Sequence, residues 1–118
     1  MLLTARALAI VETERDEARA LALEAVKLAP SLVPAAALAG RLLAEAGELR
    51  KASRIIERAW HDNPHPDLAA AYANLRFGDS ARDRLKRVRS LAEKAPGHAE
   101  SMLAVARAAG ETAPLLFT

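Results

Sequence analysis

The fold is decided by the stretch PAAALAGRLLAEAGELRKASRIIERAWHDNP, residues 34–64. On either side of Gly47, small and apolar residues recur at the three- and four-residue spacing that marks one face of a helix. Gly47 can adopt the positive φ that ends a helix, and Pro64 cannot continue one. The stretch therefore predicts two helices joined by a tight turn, near 33–46 and 49–62.

Helix-breaking prolines recur along the chain at nearly regular intervals. Pro30, Pro64 and Pro96 are separated by 34 and then 32 residues, and a period near 34 residues is typical of a tetratricopeptide repeat. In the middle repeat, Gly40 and Ala52 are small enough to let two helix backbones approach closely. The chain thus resembles an all-α, tetratricopeptide-like α-solenoid of about three helix-turn-helix repeats plus an extra C-terminal helix. We expect one domain, 1–118, with repeats near 1–31, 32–65 and 66–97 and a partial repeat over 98–118.

The flanking repeats are weaker copies of the middle one. Their pattern predicts further helices near 2–12, 15–29, 66–76, 80–95 and 98–109. The third repeat is two residues short, and we expect Phe77 to join its apolar core. Ser80, with Asp83 three residues later, predicts a capping box at the start of its second helix. Pro114 predicts a break in the C-terminal tail.

Composition narrows the classes of function. Of the 118 residues, 52% are hydrophobic but only 3% are aromatic, and none is cysteine. Disulfides, thiolate metal sites and cysteine nucleophiles are therefore excluded. A net charge of only +2, with no aromatic side chains interleaved among the basic ones, disfavours nucleic acid as a partner. The sequence shows no nucleophile–base pair, paired carboxylates or phosphate loop, so we expect no enzymatic activity and no cofactor.

Three segments resemble the C-terminal tetratricopeptide region of the HemY family, bacterial membrane proteins associated with heme biosynthesis. They are HPDLAAAYA (65–73), GDSARDRLKRV (78–88) and PGHAESMLAVARAA (96–109). The resemblance implies a non-enzymatic protein-protein interaction scaffold whose protein partners include tetrapyrrole-synthesis enzymes. It also implies a parent protein in the bacterial inner membrane, with its repeats facing the cytoplasm. The apolar start MLLTARALAI is too short to cross a bilayer, so we expect this chain to be a soluble segment of that parent.

Two interpretations are open for the segment AWHDNPHPDL, residues 59–68. His61 and His65 are four residues apart, but Pro64 interrupts the helix that would place them on one face. One interpretation is ordinary turn chemistry. The alternative is a heme- or porphyrin-binding module with His61, His65 or His98 as the ligand. His98 lies one repeat away, too far to share a metal ion, so no metal site is expected.

The first helix of each repeat lines the inner surface of such a solenoid. The spacing predicts a partner-binding groove formed by Ala37, Arg41, Glu45, Leu68, Ala71, Leu75, Leu103 and Arg107. These residues are mostly small and lack a Lys/Asn clamp for a terminal carboxylate, which favours a longer apolar or helical ligand. The alternative is that the array is only a structural segment of a longer solenoid. We expect Trp60 and Tyr72 to pack in the core or between repeats, and the alternative is contact with a ligand.

A run of cations marks the second helix of the third repeat. The segment RDRLKRVR predicts a basic face formed by Arg82, Arg84, Lys86, Arg87 and Arg89. One interpretation is a solvated helix surface. The alternative is contact with anionic lipid headgroups or with an acidic partner.

Apolar side chains also concentrate near both ends of the chain. Terminal repeats of a solenoid need polar caps, because each repeat buries its neighbour's face. Neither end has the expected polar cap, which predicts a homodimer through the terminal helices or a tail folded back over the last helix. The residues involved are Leu2, Leu3, Met102, Leu103, Leu115, Leu116 and Phe117.

Overall fold

The structure is a computed structural model that describes residues 2–10 and 14–117, with side chains up to residue 110. Every regular element in these ranges is a helix, so the predicted all-α class is confirmed. None of these helices has the length and apolar content needed to cross a membrane. The elements are α1 (Leu2–Ile10), α2 (Arg15–Leu28), α3 (Val33–Glu45), α4 (Leu49–Asp62), α5 (Pro66–Ala73), α6 (Ala81–Ala92) and α7 (Ala99–Phe117).

Helix boundaries follow the sequence pattern up to α4 and depart from it afterwards. α5 ends at Ala73 rather than near residue 76, because the Asn74 side chain donates a hydrogen bond to the Ala70 carbonyl at 2.8 Å and closes the last turn. α7 runs on to Phe117, so the expected break at Pro114 is wrong. Since the tail continues α7, it does not fold back over that helix.

Helices that follow one another along the chain are packed together, with α1 on α2, α2 on α3, and so on to α6 on α7. The odd-numbered helices also touch each other, because α1 contacts α3, α3 contacts α5 and α5 contacts α7. They form a row in a molecule that measures 44 × 29 × 22 Å. One face of this row carries the concave surface described below.

A close helix contact lies where α3 crosses α4. A Cβ atom built on Gly40 would stand 2.6 Å from Cδ1 and 2.8 Å from Cγ1 of Ile56, closer than real Cβ contacts allow. Ala52 and Ile56 are fully buried on the facing side of α4. The absence of a side chain at Gly40 is therefore what allows this approach.

Aromatic side chains fill the space between α4 and α5, as the sequence predicts. Trp60 is fully buried, and Tyr72 is 7% exposed. The Tyr72 hydroxyl donates a hydrogen bond to Oε2 of Glu57 at 2.7 Å. Both rings thus pack between successive hairpins.

The turn between α3 and α4 and the start of α6 contain the glycine and the N-cap residue that the sequence predicts. Gly47 adopts a φ of +85° between α3 and α4, a conformation that is strained for residues with a side chain. Before α6, the Ser80 hydroxyl accepts a hydrogen bond from the backbone N–H of Asp83 at 3.2 Å. The predicted N-cap at Ser80 is therefore confirmed.

Candidate functional site

Two of the three histidines cap helices. His65 Nδ1 accepts a hydrogen bond from the backbone N–H of Asp67 at 3.0 Å, at the start of α5. His98 Nδ1 accepts one from Glu100 at 3.1 Å, just before α7. The same side chain thus performs the same task at the start of two odd-numbered helices, where unpaired N–H groups need acceptors.

His61 lies in the last turn of α4, beside an exposed carboxylate. Its Nδ1 is 3.2 Å from Oδ1 of Asp62, and Ser31 donates a hydrogen bond to Oδ2 of the same carboxylate at 2.6 Å. These two hydrogen bonds, that from Ser31 first, lower the pKa of Asp62. Among the described residues no cluster of His, Asp and Glu is arranged to hold a metal ion.

A concave surface, here called the inner groove, lies along α1, α3 and α5 and has a volume of about 590 Å³. Small side chains form much of its lining, and two large apolar ones, Leu8 and Phe77, are exposed beside it. The lining residues are Leu8, Pro34, Ala37, Leu38, Arg41, Ala44, Glu45, Asp67, Ala70, Ala71, Asn74, Leu75 and Phe77.

Five of the eight residues expected in a groove line this one, namely Ala37, Arg41, Glu45, Ala71 and Leu75. The other three lie elsewhere. Leu68 is fully buried in the core cluster that also contains Trp60, because it lies on the face of α5 that is turned towards the core. Leu103 and Arg107 lie on α7, which is not part of the inner groove. Leu103 is 53% exposed, and Arg107 pairs with Glu100 at 2.8 Å along its own helix.

Phe77 is the groove residue that the sequence pattern misplaced. It was expected in the core of the third repeat, but its side chain is fully exposed beside the groove. The short α5 explains this, since the helix ends at Ala73 and Leu75 takes the last buried position before the turn. The Gly-Asp-Ser sequence directly after Phe77 is a turn signal that argues against a core position.

Charges of both signs stand on the walls of the inner groove. Arg41 is exposed on α3 and has no ion pair among the described residues, whereas Asp67 is exposed on α5. Glu45 is held by Arg15 of α2 at 2.7 Å. A ligand in the groove would therefore meet a cation on one wall and an anion on the other.

Outside the groove, polar contacts join α4, α5 and the turns on either side of α6. Glu57 accepts the Tyr72 hydroxyl hydrogen bond and lies 3.6 Å from Nζ of Lys94. Burial, followed by the contact with Glu57, raises the pKa of Tyr72 to about 12. In the turn before α6, Asp79 pairs with Arg87 at 2.6 Å and both side chains are largely buried.

The predicted basic face divides into two groups. Arg82, Lys86 and Arg89 are exposed, and we name these three the cation row. Arg84 and Arg87 are half-buried and bind Asp79 instead, through its carbonyl and its carboxylate. They are therefore not part of the exposed face. A second exposed set of cations, which the sequence analysis missed, lies on α4 and consists of Arg50, Lys51, Arg54 and Arg58.

Apolar side chains expected at the chain ends are partly exposed. Leu2 and Met102 are 75% and 69% exposed, and Leu3 is half-buried. The side chains of Leu115, Leu116 and Phe117 lie outside the described residues.

Comparison with known protein families, with curated proteins and with solved structures found no match.

Proposed function

We propose that this chain is a tetratricopeptide-like α-solenoid and that it works as a non-enzymatic scaffold for protein partners. The proline period of 34 and 32 residues supports the repeat assignment, as do the row of odd-numbered helices and the close contact of Gly40 with Ile56. In such an array the first helices of the repeats offer a continuous concave surface.

The observation that carries the binding role is the inner groove. Its lining of alanines between α3 and α5 leaves room for a ligand, and Leu8 and Phe77 are available for contact. Exposed large apolar side chains beside a concave surface are typical of binding sites, and aromatic residues dominate binding energy at such sites. The ligand proposed is an apolar or helical segment of a protein.

The proposed partners are proteins of tetrapyrrole synthesis, and the proposed parent is a HemY-like protein of the bacterial inner membrane. Support for this part is the resemblance of segments 65–73, 78–88 and 96–109 to that family. The same resemblance supports a position of the repeats on the cytoplasmic side.

Affinity capture with paired variants tests the groove. Ala71→Arg places a long cation in the groove lining, whereas Ala20→Arg makes the same change on the exposed face of α2. We expect partner proteins to be lost with the first variant and retained with the second. Equal capture by both would contradict the proposed groove.

A heme titration separates this proposal from the heme-binding alternative. None of the three histidines lines the inner groove, and two of them use Nδ1 to cap helices. We expect no Soret shift beyond that of free heme. A shift that disappears with His61→Ala or His65→Ala would replace the scaffold proposal with a heme- or porphyrin-binding module.

A further inference from the structure

A second concave surface lies between α6 and α7, away from the inner groove. We name it the end cleft; its volume is about 490 Å³. Its lining is mainly apolar and includes Ala92, Pro96, Met102 and Val105. Arg89 and Glu93 stand on its α6 side.

The end cleft borders a side of α7 on which no helix in the described ranges packs. Each of the helices α1 to α6 packs against the helix that follows it. On α7, by contrast, Met102 and Leu103 are 69% and 53% exposed, and Val105 is half-buried. Adjacent ridges on two packed helices form a groove that a third helix can fill.

A row of cations on α6 leads to the end cleft, whose lining contains the last of them, Arg89, together with Glu93. The cation row of Arg82, Lys86 and Arg89 follows α6 at the spacing i, i+4, i+7, which keeps one helix face and spans roughly 10 Å. None of the three has an ion pair within the described residues, whereas Arg87 on the same helix is paired with Asp79. Glu93 follows Arg89 by one turn and closes the row with the opposite sign.

We propose that the end cleft binds an acidic amphipathic helix of a partner protein. The apolar stripe of that helix would cover Met102, Leu103 and Val105, and carboxylates on one flank would face the cation row. Because Glu93 repels a carboxylate at its end of the row, the sequence of charges also favours one direction of the bound helix. This site is separate from the inner groove and does not depend on the function proposed for it.

Other occupants fit these features less well. Nucleic acid is disfavoured because no aromatic side chain lies among the cations for base stacking. The exposed face of α2, a candidate surface of a second copy, mixes Glu17 and Glu24 with Lys27. A bilayer is flat and would not enter a groove between two helices, and Glu93 would face its headgroups.

Fluorescence anisotropy with three synthetic peptides of about 15 residues, or four helical turns, tests the proposal on the full chain. The first peptide has a leucine stripe flanked by glutamates, the second the same stripe flanked by lysines, and the third a serine stripe flanked by glutamates. We expect the first to bind most tightly, with an affinity that falls as salt is added.

Protein variants locate the binding. Reversal of the cation row, Arg82→Glu with Lys86→Glu and Arg89→Glu, should weaken binding of the first peptide about tenfold or more. The matched reversal on α4, Arg50→Glu with Lys51→Glu and Arg54→Glu, should leave it within about twofold. Met102→Lys should weaken it by about tenfold, whereas Leu28→Lys, at an equally exposed leucine of α2, should not.

Several outcomes would overturn the proposal. Equal binding of the lysine-flanked peptide, or an equal loss from the α4 reversal, would show no charge recognition at the end cleft. Loss of binding with Ala71→Arg would assign the peptide to the inner groove. A dimer in sedimentation that Met102→Lys dissociates would identify a second copy as the occupant. Binding to phosphatidylglycerol vesicles without binding to the first peptide would identify a bilayer.

Discussion

The hairpins α3–α4 and α5–α6 have the same helix-turn-helix arrangement but are held together by different forces. Eight of the 13 residues of α3 are buried, compared with three of the eight residues of α5 and two of the 12 residues of α6. In the α5–α6 hairpin, which is the third along the chain, polar contacts supplement a smaller apolar core. They are the pair of Asp79 with Arg87 inside the hairpin and the contacts of Tyr72 and Lys94 with Glu57, which tie the hairpin to α4.

This difference shows how a hairpin with a short first helix is held together. Because α5 has eight residues and α3 has 13, less apolar surface is available to hold α6, and directional contacts supplement it. The same shortening leaves Phe77 outside the core, where it contributes to the inner groove. The α3–α4 hairpin is thus the better packed of the two, and the α5–α6 hairpin leaves an aromatic side chain exposed beside the inner groove.

The largest expected effect comes from filling the close contact of the second hairpin. Gly40→Leu should destabilise the protein by about 3 kcal/mol or more, because even a Cβ atom there would meet the buried Ile56 side chain and overpacked cores respond strongly. Chemical denaturation of the variant and the parent measures the free energy of unfolding.

Gly110→Leu is the matched control for this change. A Cβ atom at Gly110 would have no neighbour within 4 Å, and replacing a helical glycine should be neutral or slightly stabilising. Equal stability of the two variants would show that α3 and α4 do not approach each other as closely as described.

The second effect concerns the ion pair that anchors α6. Arg87→Met should cost about 2 kcal/mol, because it leaves the largely buried Asp79 carboxylate without its cation. Lys86→Met removes a neighbouring exposed cation and should change stability by less than about 0.5 kcal/mol. If both variants unfold at the same denaturant concentration, the third hairpin does not depend on its ion pair.

Features that depend on local residue chemistry could be predicted from the sequence, whereas those that depend on where a helix ends could not. The helical class, the turn at Gly47 and the N-cap at Ser80 depend on local residue chemistry, so they could be read from the pattern. The exposure of Phe77 depends on where α5 stops. That end is set by a hydrogen bond from Asn74, which competes with propensity and is hard to foresee.

The residues of the candidate site could likewise be predicted only in part. Residues of α3 were placed on the inner groove by spacing alone, because the second repeat is regular. Leu68 and Leu103 were misplaced because the spacing of α5 and α7 does not reveal which face meets the neighbouring helix. The cations of α4 lie within residues 50–58 but were missed because small and apolar residues separate them in the sequence.

The third effect appears at high pH and tests the polar group of the third hairpin. The pKa of Tyr72 is raised from 10 to about 12 by burial and by its contact with Glu57. A phenol whose pKa is higher in the folded than in the unfolded state contributes stability below pH 10, and this contribution is lost as the pH rises towards 12. Tyr72→Phe should therefore flatten the fall in stability between pH 10 and 12.

Denaturation across this range at constant salt measures the effect. At neutral pH the same variant should lose only about 1 kcal/mol, the contribution of one hydrogen bond, because Glu57 keeps Lys94 as a partner. A fall above pH 10 that is identical in both proteins would mean that the Tyr72 hydroxyl is not held in the folded state.

The smallest effect concerns the histidine caps, which occur at the start of both α5 and α7. His65→Ala should cost about 1 kcal/mol, because the N–H of Asp67 loses its acceptor. His65→Asn should keep most of the stability, since asparagine is a strong N-cap residue. His61→Ala, at a histidine that caps no helix start, is the control and should have little effect. If alanine and asparagine at position 65 behave alike, the imidazole does not act as a cap, and the heme titration of that histidine becomes the more informative measurement.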